Sequence, residues 1–518
     1  MELYEEWFNN KNYWFSKNIE IDIYLANKYF TPIQQVTIND NDNKILFISK
    51  IILLDQIPRH YQRAFNINID LYSYSKKATD FSNTILLKFN NFTIEELCFI
   101  YLPYRHIYDI DKICHIINIF ITYYNNTNNH NDKILCKKYI YNTLNSSYKY
   151  ININTYCSYL KPKSWNQINK SILDPESLKT HKHVSNNNLY KIIYEQIINL
   201  KNNSVIVISL SGGVDSMVSL FIINLIYKLN IQQIKYIIAV HINYNNNTDS
   251  SNELEFVNYY CHYLNIKLIH RTIFEINRNQ CLHNGLRDMY ENITKKIRFD
   301  VYKFAYMFGS NIYVLLGHNK NDCFENIFTN ITNKKNYDNL TGMKKLIDID
   351  NITLFRPMLD ISKTDIINFA NNNNIPYLKD STPKWSMRGQ IRDKIRPQLT
   401  DTTINAFFNL AEHCTLNNEI INKIIINNFI NKFNKYNYDE LFVLTYINIA
   451  SLFFKKLKIQ STYKANKEFT LYLQKYLITK KERKFILTKD INILIQENNN
   501  QYFFIINSGN FIIDDVIF

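Results

Sequence analysis

The 518 residues predict a multidomain chain: an N-terminal all-α helical domain, a central α/β doubly wound parallel sheet, and a C-terminal helical region ending in a small β tail. Three observations predict it. Helix-spaced apolar residues dominate from Tyr13 to about Tyr124, and short β-branched runs alternate with amphipathic segments beyond about Asn188. Strand-like runs then return at the end of the chain. A length of 518 residues also exceeds what one core usually organises, so two to four domains are expected.

Each region rests on its own pattern. Runs such as Ile51-Ile52-Leu53-Leu54 and Ile110 to Ile121, with few turn residues between them, make 1–130 an all-helical domain. Asn-rich text at 125–129 and 186–188 marks 131–189 as linker or extension. Between 190 and 400, Val205–Ser209, Ile234–His241, Lys267–Thr272 and Tyr313–Leu316 read as strands, with helices beginning near Asp215, Asn252, Met289 and Asp322. That alternation is the pattern of a parallel sheet covered by helices on both faces. Region 401–518 reads as helices followed by strand-like Phe485–Leu487, Tyr502–Ile506 and Phe511–Ile513, with a turn at Asn498-Asn499-Asn500.

Composition sets outer bounds. Sixty Lys+Arg against 46 Asp+Glu give a net charge of +14, the sign expected of a protein that meets phosphate backbones. The abundance of Asn, Ile, Lys, Tyr and Phe, with only 8 Gly and 9 Pro, is also what an A+T-rich coding sequence produces, so charge supports a nucleic-acid partner without diagnosing one. The 8 cysteines form no CxxC pair and no zinc-ligand spacing, as in free thiols of a reducing compartment. Met1 to Asn10 is acidic and aromatic where a signal peptide is basic and then apolar, and no run reaches the ~20 apolar residues of a membrane span. A soluble cytoplasmic protein with no membrane partner is expected.

The chemistry is concentrated at one turn. Val205 to Leu210 is a buried-strand run that passes directly into Ser211-Gly212-Gly213-Val214-Asp215-Ser216, which opens the apolar helix Met217 to Leu229. Strand, glycine turn and helix start form a phosphate cradle: glycine lets backbone N–H groups approach the oxygens, and the helix dipole favours negative charge there. The Ser211 and Ser216 hydroxyls add donors. The Gly-Lys-Ser/Thr ending of the nucleoside-triphosphatase P-loop is missing. Asp215 beside a phosphate is repulsive unless a divalent cation lies between them, so Asp215 is the expected Mg2+ ligand.

These residues resemble the PP-loop ATP pyrophosphatase family, whose hallmark is SGGxDS. The resemblance implies ATP as cofactor, adenylation of a carbonyl or carboxyl oxygen, and displacement of AMP by a nitrogen or sulfur nucleophile. The downstream segments are similar, in order, to those of tRNA(Ile)-lysidine synthases over about Tyr190 to Leu399. His241 in Ala239 to Tyr244 resembles the family's strand-end segment and implies a nucleotide contact, although Tyr244 stands where the family has histidine. Glu291 to Phe299 resembles E-x-x-x-R-x-x-R-Y, with Glu291, Lys295 and Arg298 on one helix face and Lys295 in place of the first arginine. Gly317 to Asn326 resembles G-H-x-x-D-D-x-x-E-T: His318, Asp322 and Glu325 match, while Asn321 and Asn326 replace Asp and Thr. Gly342-Met343, Phe355 to Leu359 and Ile361 to Ile366 follow in the family's order. Asp380 to Arg392 resembles D-x-T-N…R-N-x-I-R, with Arg388 and Arg392 matching and Pro383 replacing asparagine.

Such a protein is an ATP-dependent ligase forming a carbon–nitrogen bond. By the resemblance, Asp215, His318 and Asp322 are catalytic; Ser211 to Ser216 and His241 bind the nucleotide. Lys295, Arg298, Glu325, Arg388 and Arg392 bind substrate, a tRNA. Free lysine or another small nucleophile is the second substrate, and a homo-oligomer is left open. The loop itself leaves the nucleophile undetermined. A tRNA thiolase of the same family, a small-molecule amide ligase, and a non-catalytic RNA-binding protein on a nucleotide fold are the alternatives; the missing CxxC pairs weigh against the thiolase.

Two polar stretches interrupt the first region. Ile52 to Phe65 and Phe99 to Asp109 resemble "LLDQFPRN…RG" and "PFEHSED" segments of an uncharacterised, all-helical, tetratricopeptide-like bacterial family, over about Trp14 to Tyr124. Arg59, Arg63, Arg105 and His106 make either a polar pocket or RNA-facing patch, or with Asp55 a buried ion-pair network. No reaction is assigned to them.

Overall fold

The computed structural model describes residues 2–14, 18–30, 36–39, 41–147, 154–156, 181–246, 250–281, 285–333, 339–378, 387–431, 435–457, 459, 461–481, 484–488, 491–498, 501–508 and 511–512. No helix among them is long and apolar enough to cross a membrane. The helical region comprises α1 (Glu2–Asn9), α2 (Ile19–Tyr29), α3 (Lys44–Asp55), α4 (Ile57–Phe65), α5 (Leu71–Lys88), α6 (Ile94–His106), α7 (Ile110–Asn126) and α8 (His130–Ser147). Its starts are set by short polar side chains. Asn43, Asp70 and Asp109 accept first-turn N–H groups, and Thr93 with Glu96 closes a capping box on α6. Helix α8 lies in text expected as linker or extension; Cys136, Tyr139, Ile140 and Leu144 recur at helical spacing and reach the core.

The chain continues through β1 (Asn154–Tyr156), α9 (Asn188–Ile197), β2 (Ser204–Ser209), α10 (Val214–Tyr227), β3 (Ile234–Asn243), α11 (Ser250–Leu264), β4 (Lys267–Thr272), α12 (Arg287–Lys303) and β5 (Ile312–Leu315). It divides into two compact units, the first being 1–171, 197–315 and 350–352. Within that unit the strand order is β1-β4-β3-β2-β5. Strands β4, β3, β2 and β5 are parallel, as expected, and β1 adds an antiparallel edge. Fully buried Val205 to Ile208 make β2 the continuous apolar run of a central strand.

The helical region and the sheet region of this unit share one core. Trp7, Phe47, Phe99 and Phe120 join a single cluster with Ile273, Ile276, Met289, Ile293 and Ile297. The last three are spaced by four, so one stripe of α12 faces the helical region.

The second unit, 172–196, 316–349 and 353–518, holds α13 (Lys320–Thr332), β6 (Leu346–Ile349), most of β7 (Ile352–Phe355), α14 (Lys363–Asn372), α15 (Met387–Gln390) and α16 (Asp401–Ile420). Asp350 and Asn351 join β6 to β7 with both φ angles positive, the backbone of a tight hairpin turn. Then come α17 (Asn427–Asn431), β8 (Lys435–Tyr436), α18 (Tyr438–Val443), α19 (Ile447–Lys456), α20 (Tyr463–Thr479), β9 (Phe485–Ile486), β10 (Ile491–Asn498), β11 (Gln501–Ser508) and β12 (Phe511–Ile512). The last four, together with β8 paired to β11, form a five-stranded antiparallel sheet over a separate core that includes Phe453, Phe469 and Tyr476. The expected turn falls between β10 and β11, where Asn498 pairs with Gln501; Asn499 and Asn500 lie outside the described residues.

Candidate active site

The β2-to-α10 turn is built by its own hydroxyls. Gly212 has φ +82°, a left-handed conformation that a side chain resists. Gly213 caps α10 without a side chain, and the first intrahelical bond runs from Met217 N to Gly213 O at 3.1 Å. The N–H groups of Val214 and Asp215 therefore precede the helix's own ladder and sit at its positive end. Ser216 Oγ, buried beneath, donates to Gly213 O at 3.0 Å and accepts from Ser211 N at 3.2 Å. Ser211 is exposed and its Oγ lies 3.2 Å from that of Ser216, while Asp215 is half-buried. The result is a preshaped concave backbone with one carboxylate at its rim.

Two residues of the same unit hold the turn from below. Leu210 N donates to Val240 O at 2.8 Å, and His241 Nδ1 lies 2.8 Å from Leu210 O, so Nδ1 carries the proton and donates. Burial, aided by nearby His270, pushes the His241 pKa down to about 4, so the ring is neutral; its buried Nε2 has no hydrogen-bond partner. Beneath the strand end, Tyr302 Oη donates to Ser209 Oγ at 2.7 Å, and burial pushes that phenol up to about 12. Arg298, one turn earlier on α12, feels Tyr302 electrostatically and keeps a buried Nε without a partner. Lys295 is exposed, its Nζ 5.7 Å from the Phe299 ring centre. Glu291, expected with these two cations, instead accepts from Arg287 Nε at 3.0 Å.

The second unit gathers a different set. Asn319 and Asp322 close a capping box at the start of α13: Asn319 Oδ1 accepts from Asn321 N at 2.9 Å, and Asp322 Oδ2 accepts from Asn319 N at 3.1 Å. Glu325 is fully buried, and Arg392 grips it from Nε at 2.9 Å and Nη2 at 3.3 Å, with Asp322 Oδ1 3.6 Å from the same guanidinium. Asp322, Glu325 and Arg392 thus form one connected polar group, and at the strand end just before α13 Arg356 donates from Nε to His318 Nδ1 at 3.1 Å. That bond places the proton of the neutral His318 ring on Nε2, making that nitrogen a donor. Arg356 was not among the expected site residues, although its place in the Phe355-Arg356-Pro357 segment signalled it. Arg392 lies in a π-turn following α15. The Arg388 side chain and the stretch Asp380 to Ser386 lie outside the described residues.

No group of three or more His, Cys, Asp or Glu side chains poised for a metal occurs among the described residues. Asp215 fits Mg2+ in another way, since that ion commonly takes one or two carboxylates together with substrate phosphates and water.

Residues 182–401 match the model of the PP-loop domain, and residues 3–155 match that of a bacterial protein of unknown function, DUF924. The chain is 32% identical over 234 residues to the tRNA(Ile)-lysidine synthase of Mesoplasma florum, covering 45% of this chain and 54% of that protein. It is 29% identical over 268 residues to the tRNA(Ile)-lysidine synthase of Mycoplasma mycoides, covering 51% and 63%. The matched part thus spans little more than half the length of these curated relatives. Among solved structures, the U34-tRNA thiolase of Methanococcus maripaludis aligns with TM-score 0.36 and 17% identity, covering 43% of this chain and 76% of that one. The chain carries a PP-loop ATP-binding domain related at modest identity to tRNA-modifying enzymes.

Proposed function

We propose that this chain, a PP-loop domain behind a DUF924-type helical region, is a ligase that adenylates the C2 oxygen of a tRNA cytidine and replaces AMP by lysine. The observation that carries ATP use is the Ser211–Ser216 turn, with left-handed Gly212 and a helix N-terminus behind it. The tRNA and lysine parts rest on the relatives' names and on the ordered segments from Ser211 to Arg392.

In this reading the base oxygen attacks the α-phosphorus and pyrophosphate leaves. The lysine ε-amine then attacks C2, the C–O bond to AMP breaks, and the amine surrenders its protons. The N–H groups at the start of α10 and the exposed Ser211 hydroxyl hold phosphate oxygens, while Ser216 keeps the turn in shape from within. Asp215, with the nucleotide phosphates, would hold Mg2+, which supplies charge neutralisation. His318, with its proton on Nε2, serves as a hydrogen-bond donor, and the Asp322 carboxylate accepts a proton from the incoming amine. Arg392 holds Glu325 and Asp322 in place.

The test incubates the full chain with ATP, Mg2+, lysine and tRNA, following pyrophosphate release and RNA mass. Release that requires tRNA, with a gain of one lysine less one water, is the expected result. Neither release nor a mass change with any tRNA pool refutes the proposal. Release without tRNA on a carboxylate metabolite replaces it by amide ligation.

A further inference from the structure

The helical region contains a second polar cluster that the adenylation chemistry does not use, where helices α3, α4, α5, α6 and α8 meet. At its base Asp55 is sealed from solvent, and Ser75 Oγ donates to it at 2.7 Å. His106 Nδ1 lies 2.9 Å from both Asp55 oxygens, and Arg59 Nη2 donates to Ser75 Oγ at 2.8 Å while standing 3.7 Å from Asp55. Arg105 is within electrostatic reach of Asp55, Arg59 and the Tyr139 hydroxyl.

The cluster does not balance. One carboxylate faces two guanidinium groups, and burial beside those arginines lowers the His106 pKa, favouring the neutral ring. Arg105 Nε and Nη1, Arg59 Nε and the Tyr139 hydroxyl are all buried without any hydrogen-bond partner. Tyr139 is only 3% exposed. Orphaned buried donors of this kind cost free energy, and charged ones cost most.

The same region shows what a completed arrangement looks like. Arg63, one turn along α4 from Arg59, grips Asp22 with Nε at 2.9 Å and Nη2 at 2.6 Å, and His60 Nδ1 lies 2.6 Å from that carboxylate. Arg105 has no such carboxylate fork.

The cluster is also reachable. The side chains of Arg59 and His106 keep 21% and 13% of their surface exposed, whereas Asp55 keeps 1%. At its edge Tyr108 holds φ +59° in the turn after α6, a strained conformation for an aromatic residue.

We propose that Arg59, Arg105 and Tyr139, set above Asp55 and His106, form a binding site for one small oxyanion of the phosphate or carboxylate class. The anion takes the donors that the protein leaves unmet and cancels the excess positive charge; Asp55 orients Ser75 and His106 from behind. This site lies in the DUF924-matched segment and is independent of the ATP reading.

Calorimetric titration of the full chain at constant ionic strength, with inorganic phosphate in one arm and acetate in the other, tests it. Saturable binding of one anion per chain is expected, weakened about tenfold or more in Arg105→Gln, as loss of a charge-assisted bond predicts. Arg59→Gln, at a partly exposed position, weakens it likewise and guards against an Arg105 variant that fails to fold. The loop variant Ser211→Ala retains it, which separates this site from phosphate held at the ATP cradle. Preference for phosphate or for acetate identifies the ligand class. Equal binding by wild type and both arginine variants, no binding of either anion, or loss only in Ser211→Ala overturns the proposal.

Discussion

Replacing Arg392 by methionine tests how the polar group of the second unit is held together. The substitution keeps much of the stem and removes the charge that grips Glu325 at 2.9 and 3.3 Å. Glu325 has 0% of its side chain exposed, so it cannot exchange the lost partner for water. Breaking a buried pair from one side costs about 3–5 kcal/mol. Arg392 is itself 37% exposed and therefore partly screened, which brings the expectation down to about 2–3 kcal/mol. Asp322, 3.6 Å from the same guanidinium, adds carboxylate repulsion one turn away when the cation is gone. For a unit of this size that is a fall of about 5–10 °C in the midpoint of thermal unfolding. Glu325→Gln in the same chain removes the stranded charge, so the double variant recovers most of the loss, with a coupling of about 1–2 kcal/mol. Denaturant and thermal unfolding of the four proteins in one buffer measure this cycle. If Arg392→Met stays within about 0.5 kcal/mol of wild type, or if the two changes simply add, Glu325 is not held by this pair.

Other outcomes follow from the loop and its supports. Asp215→Ala leaves the thermal midpoint near that of wild type and abolishes pyrophosphate release, read by a coupled phosphate assay; full activity in this variant removes Asp215 from the chemistry. Gly212→Ala forces a side chain into φ +82°, costing about 1 kcal/mol and weakening ATP binding by calorimetry; unchanged affinity shows that the turn can relax. Tyr302→Phe deletes the 2.7 Å bond to Ser209 and lowers stability by about 1 kcal/mol, whereas no change shows that water replaces the phenol. His60 and His241 both have folded pKa values pushed down to about 4 from an ordinary 6.5, chiefly by burial. Their contribution is present above about pH 6.5 and is lost as pH falls toward 4, because the unfolded chain takes up the protons first. Thermal midpoints measured from pH 7 to 4 should fall over that window, and less steeply in His241→Gln; parallel profiles refute the assignment to His241.

The parts of the fold legible in the sequence are those with local causes. Strand β4 runs over Lys267–Thr272 as its β-branched text implies, and β2 ends at Ser209 as expected, where the glycine turn takes over, while it starts one residue earlier, at Ser204. Helix α8 was hidden by its Asn- and Lys-rich exposed face, and β10 by Asn, Gln and Glu alternating with its apolar residues. Long-range partners left no local trace. Helical spacing joins Glu291 to Lys295, but Arg287 is equally close in the opposite direction and takes the carboxylate. Glu325 finds its cation 67 residues away, at Arg392. The phosphate cradle could be read because strand, glycines and helix start are contiguous, whereas Arg356 on His318 bridges 38 residues and emerges only from the fold.

Helix α12 gives the helical region a physical bearing on the loop. Its Met289, Ile293 and Ile297 stripe is sunk into the helical core, and two turns or less beyond, Tyr302 bonds Ser209 at the strand end that leads into Ser211. Protein interiors packed at this density do not deform independently on their two sides. Deleting 1–147 would therefore expose Ile273, Ile276 and the whole α12 stripe as well as removing a domain, and loss of activity in such a truncation would report on the support of α12 before any separate task of the helices. The role of the helical region is better approached by single surface or pocket substitutions that leave this stripe covered, because those separate what the region binds from what it holds in place.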